Sequence, residues 1–342
     1  MKKILIIGAG AMGSAFSVPC VDNNNEVSLI GTFLENELIR SLKANNNFHP
    51  ALKINLPKQL IIERHDNLSK IIDNGVDVIV AGISSIGIEW FANEISKFYK
   101  NKTSIIILTK GLAVEDDQLI TLSEKLENIL KKNGHKSANI SSVKGPCLAT
   151  GLAHKMRTGT VIANQNLQQA QKIQKLISTE YYKSEITDDI SGVEFSAAIK
   201  NIYSMLIGAA EGLSNPSAPA EIQEKFYLNT SASLVHRSIS EMVEFVSYYS
   251  GRVETVYGLA GLGDLHVSVA GGRNSLMGKY LGQGYLYKDA KENFMKEITV
   301  EGAQLAFEIE PKIMKNFKEK QFPLMFSILK CICYNKKLEI NW

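Results

Sequence analysis

Several things are scarce in this chain of 342 residues, and each scarcity closes off a class of protein. There are four cysteines, Cys20, Cys147, Cys331 and Cys333, with no CxxC pair and no histidine at matching spacing. A disulfide scaffold and a cysteine–histidine zinc site are therefore not expected; reduced thiols in a cytoplasmic chain fit better. The six histidines, His49, His65, His135, His154, His236 and His266, lack HxxxH or HExxH spacing, so no metal site is expected. His266 reads as a structural or exposed residue. No apolar run reaches the roughly 18 residues that a bilayer span requires. The opening MKKILIIGAGAMG has two lysines and an apolar run, but glycines interrupt it and no A-x-A pattern follows, so it reads as a first strand. Charge imbalance is missing too: Lys+Arg total 38 against Asp+Glu 35, a net charge of +3. That implies neither a nucleic-acid nor a membrane partner, and any anion must be held by local groups. No internal repeat is present.

What remains is the composition of an ordinary globular protein, 45% hydrophobic and 21% charged, long enough for two cores. In the first half, short β-rich runs alternate with helical patterns. The runs are KKILIIG, EVSLIG, QLIIER, VDVIVAG, TSIIILTK, ISSVKG, TGTVIAN and YYKSEIT; between most of them lie helix-like stretches such as IGIEWFANEISKFYKN and QLITLSEKLENILKKNG. Such alternation predicts a mostly parallel sheet covered on both faces. After Asp189 strand signals largely stop, and the pattern is helical, as in GVEFSAAIKNIYSMLIGAAEGL and EIQEKFYLNTSASLVHRSISEMVEFVSYY, broken at NPSAP and at the glycine-rich GLAGLGDLHVSVAGGRN. The expected fold is α/β plus all-α. Residues 1–189 would form a Rossmann-type dinucleotide-binding domain, and 190–342 a helical substrate-binding and catalytic domain.

Gly8, Gly10 and Gly13 make G-x-G-x-x-G between the first strand and the first helix. Such glycines permit a tight turn, close backbone approach to a pyrophosphate and close helix packing, so NAD or NADP is the expected cofactor. The acid that would hold an NAD ribose is not at the end of strand two, which reads Ile30-Gly31-Thr32, and no Arg waits there for a 2′-phosphate. Glu35 is a candidate for the acidic role but reads first as a solvated helix residue. Preference between the two cofactors stays open.

The helix SAAIKNIYSMLIGAA carries Lys200 and Asn201 side by side among small and apolar residues. Alone, that lysine reads as one snorkelling to the surface. Alternatively, reduction of a ketone needs a proton donor at its oxygen, and a partly desolvated lysine can supply it. Lys110 closes TSIIILTK at the carboxyl end of a strand, where ligands of open parallel sheets sit. Only two charges, Asp264 and Arg273, interrupt the glycine-rich stretch.

These pieces carry a family resemblance. GAGAMGSA at 8–15, HPALKINLP at 49–57, TKGL at 109–112, GPCLA at 145–149, Glu194 to Asn201 as E-x-x-x-A-x-KN, GLGDL at 261–265, GGRN at 271–274 and VEG at 300–302 run in order over nearly the whole chain. The set resembles the soluble, dimeric glycerol-3-phosphate dehydrogenases, which interconvert dihydroxyacetone phosphate and sn-glycerol 3-phosphate with NAD(P). The resemblance implies Lys200 as general acid/base, Asp264 as its charged partner, and Lys110 and Asn201 as polar contacts to substrate. It implies that Arg273 and Asn274 hold the substrate phosphate with Ser268 nearby, and that Gly145, Cys147 and Ala149 line the junction of substrate and cofactor. It also implies cofactor contacts from Gly8, Gly10, Ala11, Met12, Gly13, Lys110, Ala149, Arg273 and Glu301, a homodimer formed through the helical half, and a small phosphorylated three-carbon substrate. A planar guanidinium suits a phosphate, and glycines before it let backbone N–H groups approach the same anion.

The chain departs from the family pattern at Cys147, Leu148 and Gly151, and at Ile83-Ser84-Ser85, where a proline is usual. These departures bear on cofactor preference and the far end of the substrate rather than on reaction type. Two other readings stay open: the same chemistry on another phosphorylated polyol or a hydroxy acid, and a dinucleotide-binding sensor without turnover.

Overall fold

The computed structural model describes residues 1–100, 102–213 and 227–341. The chain divides into two compact units, one of Met1–Lys110 with Thr121–Ile190, the other of Gly111–Ile120 with Ser191–Trp342. The expected break after residue 189 thus needs two adjustments. It falls after Ile190, and the segment Gly111–Ile120 belongs with the helical unit. The physical reason is burial: Leu112 and Leu119 of that segment sit in the helical unit's apolar core. The NPSAP break and the start of the following helix lie outside the described residues.

The first unit contains strands β1 (Lys3–Ile7), β2 (Glu26–Ile30), a small hairpin of β3 (Phe48–His49) and β4 (Ile54–Asn55), then β5 (Ile61–Glu63), β6 (Val78–Ala81) and β7 (Ser104–Ile107). Strands β8 (Leu112–Glu115) and β9 (Gln118–Thr121) form a separate hairpin that lies, but for Thr121, in the second unit; β10 (Asn139–Lys144), β11 (Thr158–Ala163) and β12 (Tyr182–Thr187) complete the first unit's set. Helices α1 (Ala11–Asp22), α2 (Asn36–Ala44), α3 (Leu68–Asp73), α4 (Ile88–Ser96), α5 (Leu122–Lys132), α6 (Ala149–Ala153) and α7 (Leu167–Ile177) connect them.

Eight strands form one sheet in the order β12-β11-β10-β7-β6-β1-β2-β5, all parallel except the β10–β11 pair. From β5 to β10 this is the doubly wound order, with the switch between β1 and β6. The inner strands are buried along both faces, which explains their near-continuous Ile, Leu and Val content. QLIT, read as the start of a helix, is strand β9 instead. A capping box starts α5 at Leu122: Thr121 Oγ1 accepts from Glu124 N, and the Glu124 carboxylate accepts from Thr121 N.

The second unit is built around α8 (Ile190–Gly212), in which residues 192–210 are all buried. A helix buried all round must be packed on every side; the helices that follow it are α9 (Leu228–Tyr248), α10 (Val253–Tyr257), α11 (Asp264–Val269), α12 (Arg273–Gly282), α13 (Tyr287–Phe294), α14 (Glu301–Asn316) and α15 (Pro323–Cys333), of which α9, α11, α12 and α14 touch it. Contact between α8 and α12 is backbone to backbone. A Cβ on Gly278 would lie 1.8 Å from Met205 O, and one on Gly208 would lie 2.3 Å from Ser275 O. The glycine-rich stretch, expected to break the helices, is itself mostly helical: Leu259–Gly263 forms a π-turn running directly into α11. Gly261 permits this because its backbone packs onto Val256, where a Cβ would lie 2.1 Å from the carbonyl oxygen. Among the described residues no helix is long and apolar enough to cross a membrane.

Candidate active site

In the first unit the glycine turn closes β1. Gly8 has φ +110°, and a Cβ there would sit 2.4 Å from Gly82 O at the end of β6; one on Gly13 would sit 2.1 Å from Gly8 O. Those two glycines are required by packing within the turn. Gly10 differs, because a Cβ there would meet only Glu35 Oε1, at 3.5 Å. Its face is open to a ligand's close approach. Ala11 and Met12 form the first turn of α1, which no side chain caps, so the helix presents free N–H groups and a positive dipole end. This geometry fits a dinucleotide pyrophosphate.

Two residues brace the turn at Ala9. His49, buried in the β3–β4 segment, places Nε2 3.1 Å from Ala9 O, while its Nδ1 accepts from Leu52 N at 3.3 Å. That acceptor role assigns the proton to Nε2, which therefore donates to Ala9 O. Glu35 Oε2 accepts from Ala9 N at 3.0 Å and from Thr32 N at 2.7 Å. The reading of Glu35 as a solvated helix residue is corrected here: it is half-buried and bound to the turn. Sequence distance could have signalled it, since Glu35 stands 22 positions beyond Gly13.

At the carboxyl ends of β7 and β10, Lys110 is half-buried and its Nζ donates to Gly145 O at 3.3 Å. Gly145 has φ +132°, and a Cβ there would lie 3.1 Å from Thr160 Cα, so this position takes glycine. Cys147 is half-buried and donates its N–H to Gly145 O at 2.8 Å, and Ala149 begins α6. Lys110, Gly145, Cys147 and Ala149 thus form one neighbourhood.

The second unit brings together the pieces around Lys200. Its Nζ lies 2.8 Å from Asp264 Oδ1, and the two side chains are only 5% and 3% exposed. Ser268 Oγ also accepts from Lys200 Nζ. The sequence places these acceptors well: Asp264 begins α11 and Ser268 follows four residues later on the same face. The surface-lysine reading of Lys200 is therefore overturned, and His266, on the same short helix, is exposed.

Beside Lys200, Asn201 Oδ1 accepts from Asn274 Nδ2 at 3.0 Å, and Asn274 Oδ1 accepts from Gly302 N at 2.9 Å. Asn274 is buried, and its amide joins α8, α12 and α14. Its neighbour Arg273 opens α12, whose N-terminus no side chain caps, and pairs with Glu301 at 2.7 Å. That ion pair is half exposed, with side-chain accessibilities of 55% and 50%, so an incoming anion can exchange for the carboxylate at little cost. Among the described residues no three His, Cys, Asp or Glu side chains are grouped to hold a metal ion.

A doubly wound sheet with an open glycine turn in one unit, and a buried ammonium–carboxylate pair in a helical other unit, is the build of a two-domain nucleotide-dependent dehydrogenase. Family comparison makes this specific. Residues 3–170 match the model for the NAD-dependent glycerol-3-phosphate dehydrogenase N-terminus, and residues 189–340 match that for its C-terminus. The chain is 32% identical to the NADP(+)-dependent glycerol-3-phosphate dehydrogenase of Archaeoglobus fulgidus, over 98% of this chain and 96% of that one. It is 29% identical to the glycerol-3-phosphate dehydrogenase [NAD(P)+] of Mesoplasma florum, over 97% and 95%. The solved glycerol-3-phosphate dehydrogenase of Coxiella burnetii superposes with a TM-score of 0.80 at 25% identity, covering 98% of this chain and 96% of that one. This chain belongs to the NAD-dependent glycerol-3-phosphate dehydrogenase family.

Proposed function

We propose that this protein is an NAD(P)-dependent oxidoreductase that interconverts dihydroxyacetone phosphate and sn-glycerol 3-phosphate. The observation that carries the reading is the buried Lys200–Asp264–Ser268 arrangement in a chain of this family. A dinucleotide bound at the glycine turn would supply or accept the hydride exchanged with the substrate. In reduction, Lys200 Nζ gives a proton to the oxygen that becomes the alkoxide; in oxidation it takes that proton back. Asp264 stabilises the charged ammonium and, with Ser268, aims it.

Arg273 and the uncapped start of α12 hold the substrate phosphate, through a guanidinium fork and backbone N–H groups. Glu301 holds Arg273 ready before the phosphate arrives and then contacts the cofactor. Asn274 holds the phosphate with Arg273 through its second amide N–H and orients Asn201, which with Lys110 contacts the substrate's polar groups. Gly145, Cys147 and Ala149 line the reacting end of the cofactor, whose pyrophosphate lies on Gly8, Gly10, Ala11, Met12 and Gly13. The open face of Gly10 and the uncapped α1 support that assignment. The enzyme works in the cytoplasm as a homodimer.

The test is dihydroxyacetone-phosphate-dependent oxidation of NADH and NADPH by the purified chain. Turnover is expected with the wild type, and Lys200→Ala should lose at least about a hundredfold in kcat, the scale of general acid catalysis, while still binding cofactor. Near-normal turnover by Lys200→Ala would sink the assignment.

A further inference from the structure

The strand ISSVKG carries near its end a lysine that the proposed reaction does not use. A lysine at the end of a buried strand ordinarily reaches for water, because an ammonium loses its hydration at high cost in the interior. Lys144 does not reach it: the residue is only 3% exposed. Its Nζ donates to Ile107 O at 2.9 Å and to Ser142 Oγ at 2.6 Å.

Those bonds fall where the sheet stops. The ladder between β7 and β10 ends at the pair Ile107–Ser142, so Lys110 lies three residues past it on one strand and Lys144 two residues past it on the other. Toward β6, the segment after β7 is tied by Leu108 N to Ala81 O at 3.2 Å and by Thr109 Oγ1 to Ile83 O at 2.8 Å. Toward β10, two ammonium groups cross in opposite directions. Lys144 reaches from β10 to the last carbonyl of β7, and Lys110 reaches from beyond β7 to Gly145 O at 3.3 Å, the carbonyl of the residue after Lys144. The two bonds differ in kind. That of Lys144 is short and shielded from water, where charge-assisted bonds are strongest; that of Lys110 is long and its side chain half-buried, so a substrate oxygen can take the place of Gly145 O there.

Resting on the proposed activity, we infer that Lys144 is a positioning residue for Lys110. It fixes the end of β7 against β10 and thereby sets the place from which Lys110 meets the substrate. A cationic donor serves this where an apolar side chain cannot, because only a donor can hold a backbone carbonyl across the gap beyond the ladder.

Lys144→Met keeps the bulk and removes the donors. It should lower kcat/KM for dihydroxyacetone phosphate at least about tenfold, a fraction of the roughly hundredfold that displacing a contact by about 1 Å can cost, while NADH affinity by fluorescence titration stays within about twofold of the wild type. Acting through Lys110, the substitution should add little once that group is gone: Lys110→Ala/Lys144→Met should match Lys110→Ala to within about twofold. Single effects that multiply in the double variant overturn the inference, as does wild-type kcat/KM in Lys144→Met. If Lys144→Met does not fold, Ser142→Ala, which removes the hydroxyl that aims the same ammonium, should lose about threefold or more in kcat/KM with NADH affinity kept, and a wild-type value there overturns the inference equally. A crystal structure of the Lys144 variant reads the same point without turnover: Lys110 Nζ should have left Gly145 O, and an unmoved Lys110 refutes its positioning by Lys144. Wild-type protein that binds NADH but turns over no dihydroxyacetone phosphate would refute the proposed reaction, and that displacement would still decide the role of Lys144.

Discussion

Deleting the Asp264 carboxylate while keeping Lys200 would leave an ammonium in the interior of the helical unit. The two charged atoms are 2.8 Å apart and almost wholly shielded from water. At an effective dielectric of about 20, that separation corresponds to roughly 6 kcal/mol of gross attraction, most of which offsets the cost of desolvating both groups. Breaking such a pair from one side therefore costs far more than removing it whole. Asp264→Ala should destabilise the unit by about 3–5 kcal/mol, and the double variant Lys200→Met/Asp264→Ala should recover at least about 2 kcal/mol of that loss. In scanning calorimetry, a 3–5 kcal/mol loss in a unit of this size lowers the transition by roughly 6–20 °C. Activity gives the contrast, because the double variant should regain stability but no turnover. A cost below about 1 kcal/mol for Asp264→Ala, or strictly additive single and double variants, would refute the reasoning.

Gly278→Val tests the contact between α8 and α12: a side chain there would drive its Cβ to 1.8 Å from Met205 O, so we expect a loss of about 3 kcal/mol or more, read as thermal shift. A near-wild-type transition would show that the helices do not touch through their backbones. At the tip of the β8–β9 hairpin, hydrogen bonds and ion pairs from Lys312 and Lys315 hold the Asp117 carboxyl down from its ordinary 3.8 to about 2. A depressed carboxyl adds stability that is complete above its ordinary value and is lost as pH falls through the folded one. Asp117→Asn should thus be less stable than wild type at pH 7, with the difference closing between about pH 4 and pH 2; a gap that is constant with pH would count against it.

Much of this molecule was legible before any coordinates. Every one of the eight β-rich runs became a strand of the main sheet, the inner ones apolar along their length because both faces are buried and the edge strands β5 and β12 more polar because they are partly exposed. The glycine turn was equally plain, since Gly8 and Gly13 occupy positions where a Cβ meets backbone oxygen. Lys200, which alone reads as a surface lysine, and Asp264 were marked for each other only by the family pattern, and in the structure they pair.

Other features depended on partners distant in sequence. Nothing within Gly111–Ile120 says that Leu112 and Leu119 belong to the helical core rather than to the sheet's surroundings. Nothing local to Asn274 says that its amide also ties Asn201 on one helix to Gly302 on another. Glu35 looks like a solvated residue until the chain's return over Gly10 brings its carboxylate to Ala9, 26 positions earlier. Sequence alone determined what local rules govern: which segments extend, which coil, and where only glycine fits. Tertiary structure decided which polar groups are already satisfied, because a hydrogen bond is assigned by which donor and acceptor the fold brings within about 3 Å, and periodicity carries no record of that.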